Sequence, residues 1–155
     1  MSIHLRELGR IKIINLKGKL TFDHGANELR QAVQQLVDRN DCNILLNLKD
    51  VRFMDSIGLE ALLICHRTVG SSNGRIKLSN LSTKNRHLLE ITNLLNVFDI
   101  YENEEEAISS DDHRLSREVA RRTFSVGALV LDLRVPRGLR RDLAVWLERH
   151  ARQLA

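Results

Sequence analysis

The sequence predicts an α/β fold with a largely parallel sheet, and two observations support this prediction. Strand-like and helix-like segments alternate along the chain. The strand-like segments show alternation or short apolar runs, and in the helix-like segments the apolar residues recur at helical spacing. Helix and strand that alternate in this way are typical of a sheet whose parallel strands are joined by helices. The 155 residues, 43% hydrophobic and 28% charged, suit one soluble domain with a small extension.

The first half of the chain is predicted to contain two or three strands, then a helix and a further strand. Residues 9–20 alternate like a strand, with Gly18 near a turn or bulge. Residues 24–40 have an apolar face at helical spacing, and Asp23 is a plausible N-cap. Residues 43–48, NILLNL, form a nearly all-apolar run, which indicates a strand covered on both faces.

The second half continues the alternation. A helix is predicted to begin near Ser56 and to run to about Gly70, and a later helix carries an apolar stripe at Leu88, Ile91, Leu95 and Phe98. The remaining elements are predicted at 75–81 (strand), 83–98 (the striped helix), 98–101 (short strand) and 103–110 (short acidic helix). No phosphate-binding glycine motif is present in the sequence.

A change of composition predicts a domain boundary near Ser110. Residues 1–110 carry six Lys and eight Arg against fourteen acids, whereas residues 111–155 carry ten Arg and no Lys against six acids. Asn falls from eleven to none across the same point. The Arg-rich C-terminal extension, residues 111–155, could pack as a helix on the domain or on a partner, remain unstructured, or be foreign to the domain.

Several classes of protein are disfavoured by composition. No apolar run approaches the roughly 18 residues of a membrane span, and the N-terminus lacks the core of a signal peptide. We therefore expect a cytoplasmic protein without membrane insertion. Aromatic residues make up 4% of the chain and no nucleic-acid motif accompanies the arginines, so nucleic acid is not expected as a partner. Cys42 and Cys65 lack metal-ligand spacing, Cys65 should be a core residue, and no metal or cofactor is expected.

The junction between a buried strand and the following helix, residues 51–63 (VRFMDSIGLEALL), holds one small hydroxyl residue, Ser56. The first N–H groups of a helix lack partners and favour an anion, so this serine could simply cap the helix. However, Gly58 costs about 1 kcal/mol of helix propensity and leaves the hydroxyl unshielded, while Ile57 and Leu59 place apolar side chains beside it. This combination indicates a docking surface for another protein.

A phosphate on Ser56 would suit this helix start, because the helix dipole favours its charge of about −1.5 to −2. A partner docked on the same surface would meet that charge beside Asp55 and would be repelled. Modification would then change binding and leave the fold intact.

The segment FMDSIGLEALL (53–63), with the strand NILLNL before it and helix, strand and helix after it, resembles the STAS domain of bacterial anti-sigma factor antagonists. The similarity covers about residues 3–110, including GKL before the first helix and LLNVFDIYENEEEAI at the end. It implies a STAS-like single domain over residues 1–110. Its sheet would be mixed, with about four to five strands and helices mostly on one side.

The D-S-x-G-L motif of that family falls on Asp55, Ser56, Gly58 and Leu59, so the resemblance implies phosphorylation of Ser56. The unphosphorylated protein would bind a serine kinase that is also an anti-sigma factor and would thereby free the sigma factor. A PP2C-type phosphatase would reverse the modification. The residues expected to bind the partner are the neighbours of Ser56: Asp55, Ile57, Gly58, Leu59 and Glu60, although for Glu60 a solvated helix face is favoured over a specific contact.

The resemblance implies regulation of transcription by partner switching, as in bacterial stress responses, with this chain as a substrate and not as an enzyme. The loop LTFDHGA (20–26) departs from the family's GELD-type segment, so no binding role passes to Asp23 or His24. An alternative remains open, because STAS domains also serve as subunits of lipid or anion transport complexes.

Overall fold

The computed structural model describes residues 1–111, and within them the α/β architecture predicted from the sequence is confirmed. The chain divides after Ala107 into two compact units, of which the first, Met1–Ala107, contains the sheet. In chain order the elements are β1 (Ser2–Leu8), β2 (Ile11–Leu20), α1 (Ala26–Asp38), β3 (Asn43–Met54), α2 (Ser56–Ser71), β4 (Arg75–Ser79), α3 (Thr83–Ile91) and β5 (Asp99–Tyr101). Residues 104–111 are helical. The structure predicted for the Arg-rich extension lies outside the described residues.

The sheet is mixed, as the resemblance to the STAS domain implied, and its five strands lie in the order β1-β2-β3-β4-β5. Strand β1 pairs antiparallel with β2, whereas β2 to β5 run parallel to one another. The carboxyl ends of these four strands therefore share one edge of the sheet, which we call the carboxyl edge. In sheets of this kind ligands and partners bind at that edge, because the loops and helix starts lie there.

Both faces of the central strands are buried. Ile44 and Leu46 of β3 belong to the main apolar cluster beneath the helices, and Leu45, which points the opposite way, is also 1% exposed. The prediction that NILLNL is covered on both faces is thus confirmed. On the second face Lys77 is buried, and its Nζ donates to the carbonyl oxygen of Ala107 at 3.0 Å. That hydrogen bond offsets part of the cost of burying the ammonium group.

The start of α1 corrects one prediction. Asp23 is not the N-cap: the cap residue is Gly25, with φ of 88°, and no side chain caps the helix. The physical reason is a tight turn, in which the amide of Thr21 donates to the oxygen of His24 at 2.7 Å and the amide of His24 donates back at 3.2 Å. Asp23 lies inside this turn, and only glycine adopts the left-handed conformation at its end without strain.

Helix α3 ends seven residues before its predicted end at residue 98. The helix stops at Ile91 because Asn93 adopts a positive φ of 62°, and the amide of Leu94 donates to the oxygen of Leu89 at 2.8 Å. This is the hydrogen bond of a Schellman-type helix end. The predicted stripe is therefore wrong at Ile91, whose side chain is 67% exposed, whereas Phe98 is buried after the helix has ended.

The strands differ from prediction in extent. Strand β3 continues six residues beyond residue 48, and its pairing with β2 shifts register beside Gly18, as the predicted bulge requires. The bounds of strand β1 are not predicted from the sequence, although Ile3 and Leu5 alternate with His4 and Arg6. Most of its side chains are exposed because it is an edge strand, so its apolar alternation is weak.

Candidate functional site

The start of α2 lies at the carboxyl edge and is capped by Asp55. The backbone of Asp55 is extended, and its Oδ1 accepts a hydrogen bond from the amide of Gly58 at 2.8 Å. Its amide also donates to the carbonyl oxygen of Leu20, at 3.3 Å, which ties the helix start to the end of β2. The side chain of Asp55 thus satisfies one of the amides that a helix start leaves without a partner.

Ser56 is the first residue of α2 and is exposed. Within the part of the chain that the structure describes, no hydrogen bond engages its hydroxyl. The alternative interpretation, in which Ser56 caps the helix, is therefore wrong, because Asp55 is the cap. The hydroxyl is left free at a helix start, where the dipole and the unpaired amides favour an added anion.

Gly58 and Leu59, expected as partner contacts, are both buried in the protein. A Cβ on Gly58 would overlap the carbonyl oxygen of Leu20 and would lie 3.0 Å from Cγ of Met54. Leu59 belongs to the apolar cluster and is 6% exposed. The structure gives these two residues a packing role: glycine lets α2 approach the end of β2, and Leu59 anchors the helix on the core.

Besides Asp55, two of the predicted contacts remain accessible. Ile57 is half-buried and Glu60 is exposed, so both can be reached by a partner that approaches Ser56. Together with Asp55 and Ser56 they form what we call the Ser56 surface. It carries acidic groups and one apolar side chain around a free hydroxyl.

One neighbour of this surface was not singled out from the sequence. Phe22 is 74% exposed at the tip of the turn between β2 and α1, and its amide lies 3.5 Å from Oδ2 of Asp55. The same carboxylate therefore contacts both the helix start and this turn. An aromatic residue in the polar turn TFDHG was the available signal, since large exposed aromatic side chains are frequent anchors of interfaces.

The remaining candidates are structural. Cys65 is buried in the core, as predicted, and burial raises the pKa of its thiol to about 12, so the thiol stays protonated at neutral pH. The imidazole of His66 packs edge-on against Phe98, with 5.3 Å between ring centroids. Across residues 1–111, no three His, Cys, Asp or Glu side chains are grouped so that they could hold a metal ion.

Comparison with known proteins identifies the family of this fold. The family model of the STAS domain matches residues 2–107. The chain belongs to the STAS domain family. The resemblance noted in the D-S-x-G-L segment is thereby confirmed, and the match ends at the same residue as the first compact unit.

Two relatives of this STAS domain are named as anti-sigma factor antagonists. The chain is 26% identical over 110 residues to the anti-sigma F factor antagonist of Paenibacillus polymyxa, spanning 70% of this chain and 93% of the relative. It is 32% identical over 87 residues to the anti-sigma-B factor antagonist of Bacillus subtilis (strain 168), spanning 56% and 78%.

A solved structure extends this similarity to the fold. It is the Bacillus cell fate determinant SpoIIAA in the phosphorylated form, with a TM-score of 0.57 and 26% identity, and the match spans 70% of this chain and 98% of that chain. In the described part of the present chain, no helix is both long enough and apolar enough to cross a membrane.

Proposed function

We propose that this STAS domain is an anti-sigma factor antagonist that binds a serine kinase, itself an anti-sigma factor, through the Ser56 surface. The observation that carries the proposal is the exposed and unengaged hydroxyl of Ser56 at the start of a helix that Asp55 already caps. The names of the relatives from P. polymyxa and B. subtilis support the same role.

Phosphorylation of Ser56 switches the protein off in this proposal. The phosphate adds a charge of about −1.5 to −2 next to the carboxylate of Asp55. Because Asp55 keeps its hydrogen bond to the amide of Gly58, the helix start needs no rearrangement to accept that charge. A partner pressed on the surface would meet two adjacent anions and would dissociate.

The protein is a substrate of its partner in this cycle and performs no chemistry itself. The unphosphorylated form sequesters the kinase and so frees the sigma factor for transcription. A PP2C-type phosphatase restores that form. Ile57, Glu60 and the exposed Phe22 would contact the kinase, while Gly58 and Leu59 hold the helix start in position from inside.

The test is intact mass after incubation of the full chain with ATP and the serine kinase encoded nearest to its gene. We expect the gain of one phosphate, absent in Ser56→Ala and retained in the control Ser72→Ala, which alters a serine at the opposite end of α2. Binding of each variant to the same serine kinase is measured as well. Ser56→Asp should bind the kinase more weakly than the wild type, and Ser56→Ala should bind it whether or not ATP is present.

Two outcomes count against the proposal. If Ser56→Ala still gains the phosphate, another residue is the switch. If none of the neighbouring kinases transfers phosphate or binds, the STAS subunit of a lipid or anion transport complex becomes the better account of this domain.

A further inference from the structure

A groove lies between the end of β3 and helix α3, and its lining residue Met54 directly precedes Asp55 in the sequence. Its volume is about 230 Å³, and we call it the β3–α3 groove. Arg52 and Phe53, which precede the Asp55 cap by a few residues, form one wall. The other wall is formed by α3, with Lys84, Leu88 and Ile91. None of these residues belongs to the contact set predicted from the sequence.

The groove combines an apolar interior with a basic rim. Phe53 is 53% exposed and Ile91 is 67% exposed, so two large apolar side chains lie open to solvent on its walls. Arg52, Lys84 and His87 supply basic groups, and no Asp or Glu is among the lining residues. Exposed apolar side chains grouped in a concave site mark a place of contact with another molecule.

The basic groups are available to a partner. Neither Arg52 nor Lys84 makes an ion pair within residues 1–111, whereas His87 lies 3.5 Å from Glu90 on the outer side of α3. The walls are also held in place: Nδ2 of Asn85 donates to the carbonyl oxygen of Val51 at 3.1 Å, which fixes α3 on the end of β3. A groove formed in advance loses little conformational entropy on binding.

We propose that the β3–α3 groove binds an acidic segment of the partner protein, with an apolar side chain of that segment inserted between Phe53 and Ile91. The proposal rests on the function proposed above and extends it, because the groove is formed by the end of β3, which leads directly into the start of α2. Charge complementarity selects the occupant: free basic groups on the rim pair with carboxylates.

This placement also strengthens the phosphorylation switch. Only Phe53, Met54 and Asp55 separate Arg52 from Ser56 in the sequence, and a segment that extends from the groove past Met54 would reach the start of α2. A phosphate on Ser56 would repel that segment and would compete with it for the same basic groups. The segment and the Ser56 surface would therefore be released together.

The experiment is titration calorimetry of the full chain with the serine kinase used above, at several NaCl concentrations. We expect Arg52→Glu and Lys84→Glu each to weaken the affinity about tenfold and to reduce its salt dependence, because each removes a charge pair and adds a repulsion. Ile91→Gln should weaken it with the salt dependence unchanged. Arg75→Glu, at the amino end of β4, is the control and should bind like the wild type.

The outcomes separate the two proposals. If the wild type binds and is phosphorylated while all groove variants match it, the groove inference is overturned and the switch at Ser56 stands. Equal weakening by the Arg75→Glu control would mean that net charge steers the encounter, and this too would overturn the inference. A wild type that does not bind the kinase removes both proposals. Circular dichroism should show unchanged thermal unfolding for all four variants, since each altered side chain is exposed.

Discussion

At the residue scale, two adjacent side chains have different roles at the start of α2. Asp55 caps the helix, and Ser56 is left with a free hydroxyl on the surface. A phosphate on Ser56 therefore leaves the hydrogen bond between Asp55 and the amide of Gly58 in place. The division of roles is what allows a modification there to act on binding without loss of the fold.

This division predicts different stabilities for two alanine variants. Asp55→Ala should lower the free energy of unfolding by about 1 kcal/mol, because the amide of Gly58 loses its partner. Ser56→Ala should change it by less than about 0.5 kcal/mol, as expected for an exposed site without contacts. Urea unfolding followed by circular dichroism measures both. If both variants lost the same free energy of unfolding, Ser56 would have to contribute to capping and the assignment would be wrong.

At the element scale, the position of α2 depends on one close approach. The helix start meets the end of β2 so closely that the carbonyl carbon of Leu20 would lie 2.8 Å from a Cβ on Gly58. A second glycine in the same helix, Gly70, has no neighbouring atom within 4 Å of such a Cβ. One helix therefore offers a constrained glycine and an unconstrained one.

The two glycines should respond to alanine with opposite signs. Gly58→Ala should destabilise the fold by about 1–3 kcal/mol, because the added methyl group has no room. Gly70→Ala should stabilise it by about 0.5–1 kcal/mol through higher helix propensity. Thermal and urea unfolding of both variants test the packing. Stabilisation by Gly58→Ala would mean that α2 does not approach β2 as described.

Asparagine residues in a left-handed conformation follow the ends of helices α1, α2 and α3. Asn40, Asn73 and Asn93 follow α1, α2 and α3 with φ between 56° and 64°, and Asn80 has a similar φ of 58° after β4. Asparagine tolerates this left-handed conformation better than most residues do. Part of the asparagine content of residues 1–110 is thus accounted for by chain reversals of the STAS domain.

At the scale of the whole molecule, we propose that the STAS domain is independent of the Arg-rich extension, with the boundary near Ser110 that the composition predicts. Met1–Ala107 contains the five-stranded sheet with helices α1, α2 and α3, together with a continuous apolar cluster that includes Leu29, Leu46 and Leu62. A domain with its own core of this kind should fold without further residues.

Deletion of residues 112–155 tests this independence. We expect the melting temperature to stay within a few degrees of the full chain, because every buried residue of Met1–Ala107 is retained. Differential scanning calorimetry of both proteins makes the comparison. A loss of ten degrees or more, or failure of the shortened chain to fold, would show that the extension is part of the domain.

Much of this architecture was predictable because its signals are local. Periodicity of apolar residues located β2, α1 and α2, and the all-apolar run NILLNL identified a strand covered on both faces. Predictions failed at helix ends, where the backbone conformation of a single residue decided the boundary and apolar spacing did not. The turn before α1 displaced the cap from Asp23 to Gly25, and a left-handed Asn93 stopped α3 where its apolar stripe continued.

The sequence alone determined the α/β order, the STAS family and the placement of Ser56 at a helix start, because each depends on residues that are neighbours in the chain. Only the tertiary structure decided that Asp55 is the cap and that Gly58 is buried against Leu20. It alone placed the groove between β3 and α3. Asp55 and Ser56 are adjacent residues of types that can both cap a helix, so only the backbone geometry selected between them. For Gly58 and the groove the physical reason is that burial and close approach depend on segments far apart in sequence, whose distance no local pattern encodes.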